Sequence, residues 1–333
     1  MAEDGAPPPG LIADLSPSLP ASLVRKRLTH AATTKEPPGV RRQDKIIGGK
    51  DARPGQFAWQ VALLDSLTPK DRPFDGFYCG GTLVSWKWVL TAAHCTFEDN
   101  PEGKSLPSVP KRADSVDVYL GSHNFTGGER IKVRRIVRHD YNLQTLDNDI
   151  ALLELAAEPT QKGKLKLIRF LAPDDTAPVD VGRYVTAVGW GSTEHGVVAD
   201  RVASRALQFV DSIQIKASTA CNAFYVADIR TRAGVRLKAL GKSDAEIKTA
   251  IDAWYPLGMQ KISANMICAG TDIGAADTCF GDSGGPLLVE RGGDYAQAGI
   301  VSWGPNGGCG LANLYGVYVQ VSRYLDWIAK TIR

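Results

Sequence analysis

The feature that most restricts the fold is a series of short β-rich runs cut apart by turn residues. Gln60–Leu64, Val116–Leu120, Ile131–Val133, Ile150–Leu155 and Ala298–Val301 are apolar and β-prone, and glycine, proline and asparagine separate such runs. Repeated short strands with turn signals fit an all-β barrel or sandwich. The 333 residues, 44% of them apolar, suggest about two domains and an ample core. Two packed barrels sharing a cleft satisfy both. No internal repeat is visible.

Two helical exceptions stand out. Ser243-Asp244-Ala245-Glu246 is a capping box, and Ile247, Ile251 and Trp254 follow it on one face. Tyr324–Ile332 reads as a closing amphipathic helix. Residues 1–45 read as a poorly ordered leader. Pro7-Pro8-Pro9 and Pro37-Pro38 punctuate it, the one candidate helical turn is Leu23–Leu28, and it holds no cysteine.

Charge and cysteine content exclude several function classes. A formal charge of +3 gives no case for nucleic acid or an anionic membrane. No apolar run approaches the ~18 residues of a transmembrane helix. The six cysteines contain no C-x-x-C pair, so the common zinc spacings are missing and no metal site is expected. Three disulfides in an oxidising, extracellular compartment fit better than reduced cytosolic thiols, though sequence alone leaves their pairing open. Met1-Ala2-Glu3-Asp4 is acidic where a signal peptide is basic, and no apolar segment follows. The expectation is a secreted chain whose signal has been removed.

Three short motifs carry the chemistry. They are Thr91–Cys95 around His94, Asn148–Leu153 around Asp149, and Asp277–Pro286 around Ser283. A serine hydroxyl is a weak nucleophile until a base takes its proton. Taken singly, each motif has an ordinary explanation: a glycine-turn serine, a structural histidine, a loop carboxylate. Their conjunction, in the chain order His, Asp, Ser, does not. Gly281-Asp282-Ser283-Gly284-Gly285 also fits the G-x-S-x-G elbow of α/β-hydrolases, whose histidine follows the serine. Here His30, His94, His123, His139 and His195 all precede Ser283, so an esterase or lipase would lack its base.

From Ile46 to Arg333 the chain resembles a trypsin-like serine protease of the chymotrypsin family. The resemblance implies two packed antiparallel six-stranded β-barrels, the active site between them, and a C-terminal α-helix. It makes Ser283 the nucleophile, His94 the base and Asp149 the group that orients and stabilises the imidazolium. It assigns the oxyanion hole to the N–H groups of Gly281 and Ser283. It puts Asp277, Ser302, Trp303, Gly304 and Gly316 at the substrate. Asp277 selects Arg or Lys, Gly304 and Gly316 leave room for that side chain, and Ser302 also steadies the buried Asp149. The implied disulfides are Cys79–Cys95, Cys221–Cys268 and Cys279–Cys309. Lys45-Ile46-Ile47-Gly48-Gly49 matches the family's activation junction, so residues 1–45 are a pro-segment and 46–333 the protease domain. A cut after Lys45 frees an ammonium on Ile46 to pair with Asp282. The mature pocket would itself accept Lys45, which allows self-activation, and the cysteine-free leader would then leave. Partners would be protein or peptide substrates with Arg or Lys before the scissile bond, and protein protease inhibitors.

Some segments depart from the pattern. The span 222–267 between Cys221 and Cys268 is enlarged, as are Thr96–Ser115 and Asp65–Asp75. In the family these loops rim the cleft, which favours a narrow processing protease over a digestive one. Surface decoration is the plainer reading, since long insertions cost little. A binding protein that has lost catalysis would show a replaced His94, Asp149 or Ser283. The loop Gly121–Glu129 offers one carboxylate, too few for the calcium that trypsins hold there. Tyr315 stands where many trypsins have proline, a replacement that in relatives accompanies sodium; packing is the weightier expectation, and no cofactor is required. Asn124-Phe125-Thr126 is a glycosylation sequon.

Overall fold

A computed structural model describes residues 47–98, 109–171, 179–192, 203–258, 262–305 and 308–333. The leader, the junction residues Lys45 and Ile46, and the middle of the 96–115 loop lie outside the described residues.

The β-prone runs become strands of two six-stranded barrels. The first is closed by β2 (Gln60–Asp65), β3 (Phe77–Ser85), β4 (Trp88–Thr91), β5 (Val116–Leu120), β6 (Glu129–Arg138) and β7 (Ala151–Leu155), in the order β2-β3-β4-β7-β6-β5. The second uses β9 (Tyr184–Gly189), β10 (Gln208–Lys216), β11 (Met266–Gly270), β12 (Pro286–Arg291), β13 (Asp294–Trp303) and β14 (Gly316–Gln320), closed by β9–β10 pairing. Two short strands, β1 (Lys50–Asp51) and β8 (Arg169–Phe170), border it. All barrel pairings are antiparallel. Buried residues such as Val61, Leu63, Leu90, Leu152 and Leu153 pack the first barrel, and Ala187, Ile213, Leu287 and Tyr318 the second.

The enlarged 222–267 span folds as two helices, α1 (Ser218–Ala239) and α2 (Asp244–Gly258). The capping box starts α2 as read from the sequence. Ser243 donates its N–H to Glu246 at 2.9 Å, and its Oγ accepts the Glu246 N–H at 3.3 Å. The backbone N–H and hydroxyl of Ser243 hold the Glu246 carboxyl down at about 2. The 22-residue α1 was not legible. It has no side-chain N-cap, and its buried face is only Cys221, Tyr225, Ala233 and Leu237. Gly241, at φ +78°, ends it in the left-handed conformation that glycine adopts without strain. The closing helix, α3, runs Leu325–Thr331.

The shortened Gly121–Glu129 loop is held by an aromatic cluster. The Phe125 ring lies 5.0 Å from Phe74, 5.5 Å from Phe77, 5.6 Å from Tyr119 and 5.1 Å from Trp190. The loop's Glu129 carboxylate is already engaged, accepting the Thr160 N–H at 2.8 Å and its hydroxyl at 3.0 Å. Phe125→Ala, made in a Ser283→Ala background to prevent self-digestion, should therefore lower unfolding stability by about 3–5 kcal/mol. Chelator or added calcium should leave the parent's melting curve unchanged. Denaturant titration and thermal melts check both outcomes.

Candidate active site

The histidine motif places His94 on a single turn, Ala93–Thr96, directly after β4. The Cys79–Cys95 disulfide ties that turn to β3. Asp149 follows Asn148, which sits at φ +56°, a region asparagine tolerates better than most residues. Asn148 is clamped there. Its Nδ2 donates to the Asp140 carbonyl at 2.9 Å, and its Oδ1 accepts from the Tyr324 hydroxyl at 2.9 Å.

The Asp149 carboxylate is buried and accepts from three donors. They are the His94 backbone N–H at 2.7 Å, His94 Nδ1 at 2.7 Å and the Ser302 hydroxyl at 2.6 Å. Burial alone would raise its pKa, but the attraction of the His94 ring and these hydrogen bonds outweigh it. The net shift is below the ordinary carboxylate range. Nδ1 donates to the Asp149 carboxylate, and the other ring nitrogen, Nε2, lies 3.7 Å from the Cys95 sulfur.

Ser283 comes from the second barrel and is anchored across the interface. Its carbonyl accepts the Gly80 N–H of β3 at 2.8 Å. Gly80 neighbours Cys79, which is bonded to Cys95 beside His94. The glycines around Ser283 are sterically required. A Cβ on Gly284 would lie 2.2 Å from Thr91 Oγ1 and 2.4 Å from the Gly80 carbonyl oxygen. Gly281 sits at φ +100°. Among the described residues no acceptor takes the N–H of Gly281 or Ser283, so both can serve a developing oxyanion.

Two further buried carboxylates flank the nucleophile. Asp282 accepts the Gly191 N–H at 2.8 Å and the Cys279 N–H at 2.9 Å. Gly189 and Gly191 make room for it, since a Cβ at either would come within 2.5 Å of its carboxylate. Asp277 accepts the Gly310 N–H at 2.9 Å through one oxygen, while the other has no partner among the described residues. A Cβ on Gly316 would lie 3.3 Å from that second oxygen, whereas one on Gly304 would meet only open space. Burial pushes both carboxyls up to about 7, against the pull of their backbone donors, and the charge of Asp282 adds to the rise at Asp277.

The first described residue, Ile47, reaches the same place. Ile47 is buried against the Cys279–Cys309 disulfide, and its carbonyl accepts the Asp277 N–H at 3.3 Å. Cys221–Cys268 completes the three pairings that the resemblance implies. The described His/Cys cluster that could hold a metal is His94 with Cys79 and Cys95, and the disulfide occupies both sulfurs.

Sequence reasoning missed Tyr225. It stands one helical turn after Cys221 on α1, and that i,i+4 spacing was the available signal. Its hydroxyl donates to the Tyr315 carbonyl at 2.5 Å, and its ring meets Trp303 edge-on at 5.1 Å. Burial and the nearby Asp277 hold its hydroxyl in the neutral form. The 222–267 insertion therefore packs, through α1, against Trp303 and Tyr315. Tyr315 itself is buried and donates its hydroxyl to Asp272 at 2.8 Å, which accounts for the residue by packing and hydrogen bonding.

Two arginines of β6 hold the other enlarged loops. Arg130 pairs with Asp117 at 2.7 Å and donates to the carbonyls of Thr68, Asp65 and Ser66 at 2.7, 3.0 and 3.1 Å. Arg138 donates to the Thr96 hydroxyl and carbonyl, both at 2.7 Å, and to the Lys111 carbonyl at 3.1 Å.

The Asp277 carboxyl sets a pH dependence with a definite sign. Its raised pKa means that the folded chain holds a proton the unfolded chain releases near pH 4. Its contribution is full below about pH 4 and is lost as pH rises toward 7. Asp277→Asn, the neutral isostere, should gain stability relative to the parent by about 1.4 kcal/mol per pH unit across that window. The gain should level off above it. Unfolding titrations of both proteins in a Ser283→Ala background, from pH 4 to 8, give the slope.

The sequence model of one family, Trypsin, matches residues 46–328. The chain is 31% identical over 300 residues to protein masquerade of Drosophila melanogaster, covering 88% of this chain and 23% of that protein. It is 30% identical to coagulation factor IX of Cavia porcellus over 85% of this chain and 80% of the relative. With vitamin K-dependent protein C of Oryctolagus cuniculus it shares 32% identity over 86% of this chain and 52% of the relative. The chain thus spans about a quarter to four-fifths of the relatives' own lengths. No helix among the described residues is long and apolar enough to cross a membrane.

Proposed function

The chain belongs to the trypsin family, and from that premise we propose that it is a secreted serine endopeptidase, made as a zymogen, that cuts after Arg or Lys. The observation that carries the reading is the buried Asp149 carboxylate, held by His94 from one barrel and Ser302 from the other. Ser283 attacks the scissile carbonyl while His94 takes its proton and later delivers it to the leaving amine. Asp149 stays ionised and stabilises the imidazolium. The N–H groups of Gly281 and Ser283 bind the oxyanion, each donor worth about 3–4 kcal/mol of barrier. Asp277 supplies the counter-charge for a basic side chain, because a carboxylate so deeply buried ionises at neutral pH only when a cation joins it. Three disulfides support the extracellular compartment.

Activation follows from the second carboxylate. Asp282 has no cationic partner among the described residues, and Ile47 is already seated beside its loop. Cleavage after Lys45 frees the Ile46 ammonium one residue away, and its pairing with Asp282 orders the catalytic loop. A buried pair of this kind is costly to break from one side. A narrow, processing role is supported by the rim loops that Arg130 and Arg138 fasten and by α1 against Trp303 and Tyr315.

Two outcomes are expected. Ser283→Ala should lose labelling by an organophosphonate and lower amidase turnover by roughly 10⁴-fold or more. Asp277→Ser should keep labelling but lose about 3–5 kcal/mol on Arg and Lys substrates. Unlabelled Ser283 in the correctly cut chain would identify a silent, protease-like binding protein instead.

Activity followed against N-terminal sequence tests the zymogen. Lys45→Gln should stop self-activation. Ile46→Gly should be cut correctly yet remain poorly active, because the apolar anchor of the new terminus is gone. Full activity in molecules that still begin at Met1 would overturn this reading. Profiling on a peptide library and on whole proteins separates a processing enzyme from a digestive one.

A further inference from the structure

A recess of about 350 Å³, apart from the catalytic groups, lies where the segment before β2, the turn after β5, residues 163–166 and Leu207 meet. That volume falls in the range of small ligand sites. Its floor is apolar, with Phe57, Leu165 and Leu207 all buried. Its rim carries the exposed cations Arg53, Lys164 and Lys166, and His123 also lines it. No lining residue is acidic. Among the described residues none of the three cations forms an ion pair. Lys166 acts on Asp294, but Arg169 already holds that carboxylate at 2.7 Å. Gln60, 3% exposed, also lines the recess; its Nε2 and Oε1 are buried and have no hydrogen-bonding partner among the described residues.

We propose that this recess is an exosite for an acidic peptide segment of a partner protein, one that carries an apolar anchor among its carboxylates. The carboxylates meet Arg53, Lys164 and Lys166. The anchor covers Phe57, Leu165 and Leu207. The apolar floor decides between anionic partners. A sulfated sugar chain has no side chain to place on it, whereas a peptide that alternates leucine with glutamate does. The site stands independently of catalysis.

The test uses the full chain carrying Ser283→Ala and a fluorescein-labelled peptide, Glu-Glu-Leu-Glu-Glu-Leu, with fluorescence anisotropy as the readout. Saturable binding is expected. It should weaken roughly tenfold or more in Lys164→Glu/Lys166→Glu, in peptide with serine for leucine, and as salt rises. Lys330→Glu, on the C-terminal helix and outside the recess, should bind as the parent does. Thermal melts check folding, and Arg53→Ala replaces the double variant if that one fails to fold. Absent binding, equal loss in Lys330→Glu, or binding indifferent to the rim variants would each overturn the proposal. So would a sulfated oligosaccharide that binds through these residues where the peptide does not.

Discussion

The buried Asp149 carboxylate is satisfied only when both barrels are in place. Two of its donors belong to the first barrel, the backbone N–H and ring Nδ1–H of His94, and the third is the Ser302 hydroxyl at the end of β13. An unpaired charge at that depth would cost several kcal/mol. The arrangement therefore couples barrel docking to the orientation of the imidazole. The Gly80 N–H donated to the Ser283 carbonyl crosses the same interface. Neither barrel alone contains a site.

Asp277 and Asp282 have the opposite character. Each is held by backbone N–H groups, yet burial keeps its pKa near 7, so neither carries a settled charge without a cation. The glycines facing them, Gly316 on one side and Gly189 and Gly191 on the other, keep the space beside each carboxylate clear. A carboxylate with a low pKa, such as Asp149, is a finished piece of machinery. One with a raised pKa is a demand for a partner, and under the proposed function the substrate's basic side chain and the Ile46 ammonium meet the two demands.

The enlarged segment between Cys221 and Cys268 is more than decoration at its root. Its disulfide and the Tyr225 hydroxyl fasten α1 to β11 and to Tyr315 just before β14, while α2 packs on α1. A long insertion costs little chain entropy when its ends are already close. That explains how two helices can be added to a barrel connection without disturbing either barrel.

Much of the fold was legible from period and punctuation. The runs at Gln60, Val116, Ile131, Ile150 and Ala298 became strands, and the Ser243 capping box started a helix, because these signals act over a few residues. The candidates His94, Asp149 and Ser283 could be named for the same reason: each sits in a short motif. Helix α1 was not, since it has no cap and a sparse buried face, and packing of Cys221 and Tyr225 against the second barrel holds it in place. Nor could the sequence reveal that Arg130 holds a loop more than sixty positions away, or that an aromatic cluster from four separate segments supports the Gly121–Glu129 turn. The chemistry of each side chain was set by the sequence alone. Which of them meet, how deeply each is buried, and so whether a carboxyl is ionised or waits for a cation, were decided by tertiary structure, because desolvation and hydrogen bonding depend on neighbours brought from distant parts of the chain.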